Sequence, residues 1–211
     1  MRQDRHVIVF LRVPRLGRVK SRLAAGIGPL AALAFYRETS LSLLRLLTRD
    51  RRWRCHVAVT PDGARDRSWP AAAQRRGQGG GDLGRRMARA FEGLPPGPAL
   101  LVGSDIPAIA ARHIWAGFRA LGRSDAVFGP ALDGGYWLVG FRRRPLPRGS
   151  FAGVRWSSRH ALADTLASLP RSLRVALLET LDDVDDAESY RRWREARGIT
   201  TPSSDAPRGA A

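Results

Sequence analysis

Arg12, Arg15, Arg18, Lys20 and Arg22 crowd a short stretch in which Pro14 and Gly17 break any regular structure. The apolar run Val7 to Leu11 comes directly before it. A cationic, Gly- and Pro-bearing loop after a buried strand suits a phosphate-bearing ligand. Backbone N–H groups and cationic heads can share the negative charge there. A solvated basic loop accounts for the same residues. It is not a Walker A loop, because Val19 stands where that loop needs Gly, and no GxGxxG fingerprint is present.

Acidic chemistry is concentrated elsewhere. Glu179 to Glu188 hold six of the 19 acids. Crowded carboxylates repel one another, and a divalent cation relieves that repulsion; Mg2+ is commonly held by one or two carboxylates plus phosphate oxygens. Some of these acids also suit a helix start, with Asp185 or Asp186 as cap and Glu188 in the first turn. Gly103-Ser104-Asp105-Ile106-Pro107 places one more acid after an apolar run, where it could hold a metal or a hydroxyl, or cap a helix opening at Pro107. Asp133-Gly134-Gly135-Tyr136 forms a glycine-bearing turn that either approaches a ligand closely or closes a hairpin. Gln78 to Gly84 is a similar loop running into a helix. Trp137 and Trp156 could stack on a base or a sugar, although core packing suits each of them as well.

Other chemistries are excluded by pattern. The four histidines are widely separated, without HExxH spacing, and Ser104 and Ser157 have no recognisable His partner. Cys55 is the single cysteine, which excludes a disulfide framework and a multi-cysteine zinc site. There is no run of 18 apolar residues, so no membrane span is expected. The N-terminal apolar stretch is too short for a signal peptide, and a cytoplasmic protein is expected.

The elements that must position these residues follow from periodicity. Strands are expected at Val7–Leu11, Cys55–Val59, Ala99–Val102, Ala126–Phe128, Tyr136–Phe141 and Leu173–Leu178. Helices are expected from Pro29 to about Leu47, after Asp82 to about Glu92, from Pro107 to about Leu121, after a Ser157 cap to about Leu169, and over Asp186–Arg197. Residues 61–81 read as loop. Alternating strands and helices imply an α/β protein with helices around a mostly parallel, Rossmann-like sheet, and ligands in such sheets bind beyond the strands' carboxyl ends. A single domain over 1–198 and a flexible tail over 199–211 are expected, as monomer or homodimer.

The chain has 211 residues and a formal net charge of +17. Such a charge could steer it to nucleic acid. Yet Lys20 is the lone lysine among 36 basic residues, and the arginines are scattered, as a compositional bias would leave them. No specific nucleic acid is therefore expected. Lys20 becomes informative, since it could mark a place where a guanidinium does not fit.

Six segments occur in order: Val19-Lys20-Ser21-Arg22-Leu23, Gly80-Gly81-Asp82-Leu83-Gly84-Arg85-Arg86-Met87, Gly103-Ser104-Asp105-Ile106-Pro107, Gly129 to Tyr136, Val154-Arg155-Trp156-Ser157-Ser158 and Asp183-Val184-Asp185. Together they resemble the DUF2064 family of glycosyltransferase-A-like proteins, which is similar to 2-phospho-L-lactate guanylyltransferases and molybdenum cofactor guanylyltransferases. The resemblance covers about Val7 to Arg197. It implies a GT-A (nucleotide-diphospho-sugar transferase) fold and a metal-dependent glycosyl or nucleotidyl transferase. The implied partners are a nucleotide or nucleotide-sugar donor and a small acceptor, and the implied cofactor is Mg2+ or Mn2+.

By the same resemblance, Lys20 and Arg22 match phosphate-binding positions, with Arg12, Gly17, Asp82, Gly103 and Ser104 also on the nucleotide side. Asp105 matches a metal-binding acid, and Asp185 a second one, with Asp183 next in line. Asp133, Gly134, Gly135, Tyr136, Trp156 and Ser157 match the acceptor side, and Asp105, Lys20 and Asp133 carry the catalytic assignments. Asp186-Ala187 departs from the related Thr-Pro, and Ser21 and Ser158 replace Thr. A DxD pattern is absent around Asp105. The alternative is a non-catalytic nucleotide- or nucleic-acid-binding protein that uses the basic surface.

Overall fold

The computed structural model describes residues 4–142, 146–147 and 149–199. Strands and helices alternate: β1 (His6–Arg12), α1 (Ser21–Ile27), α2 (Pro29–Arg49), β2 (Arg54–Thr60), β3 (Gln74–Gly77), α3 (Leu83–Glu92), β4 (Ala99–Gly103), α4 (Ala111–Ala120), β5 (Ala126–Pro130), β6 (Tyr136–Phe141), α5 (Ala161–Ser168), β7 (Val175–Leu177) and α6 (Ala187–Ala196). The expected tail lies outside the described residues except for Ile199.

One sheet holds the strands in the order β3-β2-β1-β4-β6-β5-β7. Only β6 runs against its neighbours, β4 and β5; the other pairings are parallel. Because β6 is reversed, its first residue, Tyr136, lies on the edge where β1, β4, β5 and β7 end. The sheet is buried on both faces, so its central strands are continuous apolar runs. In β1 the side chains part by alternation. Val7, Val9 and Leu11 join a core with Tyr36, Leu44 and Leu47 of α2 and Ile114 and Phe118 of α4, whereas Ile8 joins Met87 and Phe91 of α3. Cys55 is buried in β2, and burial pushes its thiol up to about 12, which removes it as a nucleophile at neutral pH. None of the helices among the described residues is long and apolar enough to cross a membrane.

Two elements escape periodicity. The strand β3 is Gln-Arg-Arg-Gly, exposed at every position, on the sheet edge beside β2. Its backbone pairing, not an apolar face, makes it a strand. The helix α1 fills the stretch read as loop before Pro29 and buries only Leu23. Two helix starts also differ from expectation. At α4 the cap is Ala110, not Asp105, and the ring Nδ1 of His113 accepts the Ala110 amide hydrogen. At α5 the cap is His160, while Ser157 has a left-handed backbone with φ 57°. Asp82 does cap α3, accepting the Arg85 amide at 2.8 Å, and Asp186 caps α6, accepting the Ser189 amide at 2.8 Å.

Candidate functional site

The loop after β1 turns inward at Lys20, whose backbone is left-handed (φ 49°, ψ 49°). Non-glycine residues take this conformation uncommonly, so the local fold must hold it. The side chain is only 3% exposed. Its Nζ donates to Asp105 Oδ2 at 3.0 Å and to Asp185 Oδ1 at 3.4 Å. Burial alone would lower the pKa of this amine. The charge and hydrogen bond of Asp105, then the charges of Asp185 and Asp183, outweigh burial and hold the ammonium above its ordinary range.

Asp105 is free to make this contact because it caps no helix. It follows Gly103, at the end of β4, where an added Cβ would meet its own Oδ1 at 2.9 Å. The other acids arrive through Val184, which is 1% exposed and packs with Leu23, Ala32 and Phe35. Its neighbours on either side, Asp183 and Asp185, line the same pocket as Asp105 and Asp133. Gly26 makes this junction possible: a Cβ on it would lie 2.4 Å from Cβ of Ala187, the first residue of α6. Thus α1 and α6 abut, and Arg22 Nη1 donates to Asp185 Oδ2 at 3.3 Å.

The pocket encloses about 480 Å³ beyond the carboxyl ends of the sheet. Its acids exceed the cations that reach them. Burial first, then the Asp133 and Asp105 charges, push the Asp183 carboxyl up to about 6, against the pull of Lys20. Asp133 is held in its turn by accepting the Gly135 amide at 2.8 Å. Gly135, Tyr136, Trp156 and Ser157 complete the wall on that side. Tyr136 offers its ring only, since its hydroxyl accepts from Thr165 and donates to the Met87 sulfur. Trp156 both lines the pocket and packs on α3, where a Cβ on Gly84 would lie 2.9 Å from its ring.

Six sequence-derived site residues lie outside the pocket wall: Lys20, buried against Asp105 and Asp185, and five others. Asp82 is occupied as a helix cap. The Ser104 hydroxyl is buried against the Tyr36 hydroxyl at 3.0 Å, and that tyrosine also donates to the Arg12 carbonyl. Arg12 itself folds back to the Arg18 carbonyl at 3.3 Å, and Gly17 is an exposed turn glycine with φ 69°. Gly134 approaches protein, not ligand: a Cβ on it would lie 2.2 Å from the Arg159 carbonyl oxygen. Of the tryptophans, Trp137 is wholly in the core. Conversely, Arg159 lines the pocket and was not singled out from the sequence. With arginine so abundant, residue type carried no signal there.

A metal can be tested against this donor set. Among the described residues, no group of three or more His, Cys, Asp or Glu side chains gathers closely enough to hold a metal ion. Asp105 and Asp185 nevertheless share one cation, the Lys20 ammonium. Two carboxylates suit a Mg2+ or Mn2+ ion whose remaining ligands are phosphate oxygens and water. The residues fit a metal that arrives with a polyphosphate, and they do not form a cage of their own.

A seven-stranded, mostly parallel sheet flanked by helices, with one reversed strand, is the architecture of nucleotide-diphospho-sugar transferase structures. Within that class the chain belongs to the DUF2064 family, whose model, described as an uncharacterized protein conserved in bacteria, matches residues 43–158. It is similar to a proposed nucleotide-diphospho-sugar transferase from Desulfovibrio desulfuricans G20, with 27% identity over 98% of this chain and 91% of that one and a TM-score of 0.79. The 4-diphosphocytidyl-2C-methyl-D-erythritol synthase of Anaerococcus prevotii DSM 20548 shares the fold at 10% identity, over 93% and 99% of the two chains, with a TM-score of 0.57. The Rv0371c protein of Mycobacterium tuberculosis H37Rv, solved in complex with manganese, shares it at 16% identity, over 92% and 100%, with a TM-score of 0.55. No curated protein matches the chain.

Proposed function

We propose that this protein is a divalent-cation-dependent transferase that takes a nucleoside di- or triphosphate or a nucleotide sugar as donor. It transfers a nucleotidyl or glycosyl group to a small acceptor. The observation that carries this reading is the shared Lys20 ammonium. A cation from the β1 loop sits between carboxylates from the loop after β4 and from the segment before α6. Three separate stretches thereby converge beyond the sheet edge where α/β proteins bind ligands.

When bound by Asp105 and Asp185, with Asp183 next to them, Mg2+ or Mn2+ would neutralise phosphate charge and orient the leaving group. Lys20 and Arg22 hold the donor phosphates from the β1 side. Asp133 holds the acceptor hydroxyl and takes its proton as the acceptor oxygen attacks phosphorus or an anomeric carbon. Attack at phosphorus expels pyrophosphate; attack at carbon expels a nucleoside diphosphate. Positioning and fixed charge supply the acceleration, and no covalent enzyme intermediate is needed.

Thermal shift with a panel of nucleotides and nucleotide sugars, with and without Mg2+ or Mn2+, tests this reading. A true donor at 100 times its dissociation constant stabilises by about 2.7 kcal/mol, a shift of several degrees. The shift should require the metal, and the released product identifies the group transferred. Metal-independent stabilisation by nucleic acid, collapsing steeply with salt, would instead indicate a basic binding surface.

A further inference from the structure

We propose that Arg159 is the subsite for an anionic group, a carboxylate or a phosphate, carried by the acceptor. This assignment rests on the transferase reading above and adds the acceptor's chemical class to it.

Two arginines line the pocket, and their situations differ. Arg22 is paired with Asp185. Arg159 has no carboxylate within ion-pair distance among the described residues, although four aspartates line the same pocket; its Nε lies 3.5 Å from the His160 ring nitrogen Nε2. Arg155, four residues earlier, shows what this segment does with a structural arginine. It grips Asp164 with Nε and Nη2, each at 2.8 Å, and so ties the segment to α5. That anchoring leaves Arg159 unneeded for holding the segment.

Its place is fixed by backbone. The Arg159 main chain lies against Gly134 so closely that no side chain fits there. The Leu162 amide donates to the Gly134 carbonyl at 3.1 Å and locks the start of α5 to the same turn. Arg159 is therefore held beside the turn that carries Asp133. In the sheet, the end of β4, which leads to Asp105, lies between β1 and β6. Arg22 follows β1 on one side of Asp105, and Arg159 is locked to the β5–β6 turn on the other. The donor phosphates belong with Lys20 and Arg22, so a cation across the aspartates serves the second substrate. A guanidinium with a vacant fork binds carboxylate or phosphate through two parallel hydrogen bonds.

The test is a calorimetric titration of the full chain with glycerol, glycerate and glycerol 3-phosphate, repeated on Arg159→Gln, Arg159→Lys and Arg22→Gln. Arg159 is exposed, so its variants should fold. The native chain should bind at least one anionic probe about tenfold more tightly than glycerol, equivalent to about 1.4 kcal/mol. Glycerate and glycerol 3-phosphate together show whether carboxylate or phosphate is preferred. Arg159→Gln should erase the preference, Arg159→Lys should keep part of it, and Arg22→Gln should leave it in place. No preference in the native chain, its survival in Arg159→Gln, or an equal loss in Arg22→Gln would overturn the assignment. Failure of every nucleotide to stabilise the chain with Mg2+ would instead sink the transferase reading, while the anion preference would still report on Arg159.

Discussion

The Lys20 ammonium lies 3.0 Å from the Asp105 carboxylate, and 85 residues of chain separate the two. Lys20 reaches it through a left-handed backbone, and Asp105 is available because the helix after it begins at Ala111. Neither residue would face the other without the parallel pairing of β1 and β4.

Replacing Lys20 leaves the aspartates without their common partner. Lys20→Met should weaken binding of a nucleoside triphosphate by about tenfold or more, the loss of a charged hydrogen bond of about 1.5–3 kcal/mol. Binding of the unphosphorylated nucleoside should change little. Parallel titrations with the two ligands check this, and equal losses would remove the phosphate role.

Asp105→Asn keeps the shape of the side chain and removes its charge. Turnover and metal-dependent nucleotide binding should fall by about 100-fold or more. The melting temperature should fall moderately, because the buried Lys20 ammonium then keeps only Asp185 as a charged partner, so binding and turnover are compared at a temperature where both proteins are folded. Chelation with EDTA should reproduce the loss in the native chain and change nothing further in the variant.

Gly26 tests how the site is assembled from outside. A Cβ there would collide with the Cβ of Ala187 and push α6 from α1. Gly26→Ala should cost about 1–3 kcal/mol in stability and weaken nucleotide binding, although residue 26 lines no part of the pocket. The double variant Gly26→Ala with Ala187→Gly should recover much of both. Denaturant unfolding and titration read the two effects separately.

The fold also carries a pH dependence remote from the site. His56 is buried beside His6, with ring nitrogens 3.1 Å apart, and burial, then the charges of His6, Arg76 and Arg54, lower its pKa to about 4. The folded state keeps His56 neutral where the unfolded chain, near 6.5, binds a proton. Its contribution is therefore full above pH 6.5 and is lost as pH falls toward 4. Asp183, raised to about 6, acts in the opposite sense, because its folded form keeps its proton to higher pH than the unfolded chain. In an Asp183→Asn background, stability measured by denaturant should drop steadily from pH 6.5 to 4, and His56→Gln should flatten that slope.

Much of the frame was legible along the chain. The apolar runs of β1, β2, β4 and β6 are buried on both faces, so composition alone marks them as strands. The caps at Asp82 and Asp186 could be read for the same local reason: a side-chain oxygen answers an amide three residues on. What local pattern could not show was β3, which is polar and exists by pairing with β2, and α1, whose single fully buried residue gives no period. Of the two readings of Asp105, the cap gave way to a contact with distant Lys20, and at α5 the cap is His160 in place of the expected Ser157.

The site divides in the same way. Residue types along the chain marked the cationic loop, the lone Lys20 and the acidic run that holds Asp183 and Asp185, and the resemblance to the DUF2064 family added the roles of Lys20, Arg22, Asp105, Asp133, Asp183 and Asp185. Only the tertiary structure decided that Lys20 is shared by Asp105 and Asp185, that Ser104 is spent on the scaffold, and that Arg159, which lines the same pocket as Asp133, has no carboxylate partner among the described residues. Charge and hydrogen-bonding capacity belong to a residue, but whether that capacity is already satisfied depends on neighbours that strand order and helix packing bring from far along the chain.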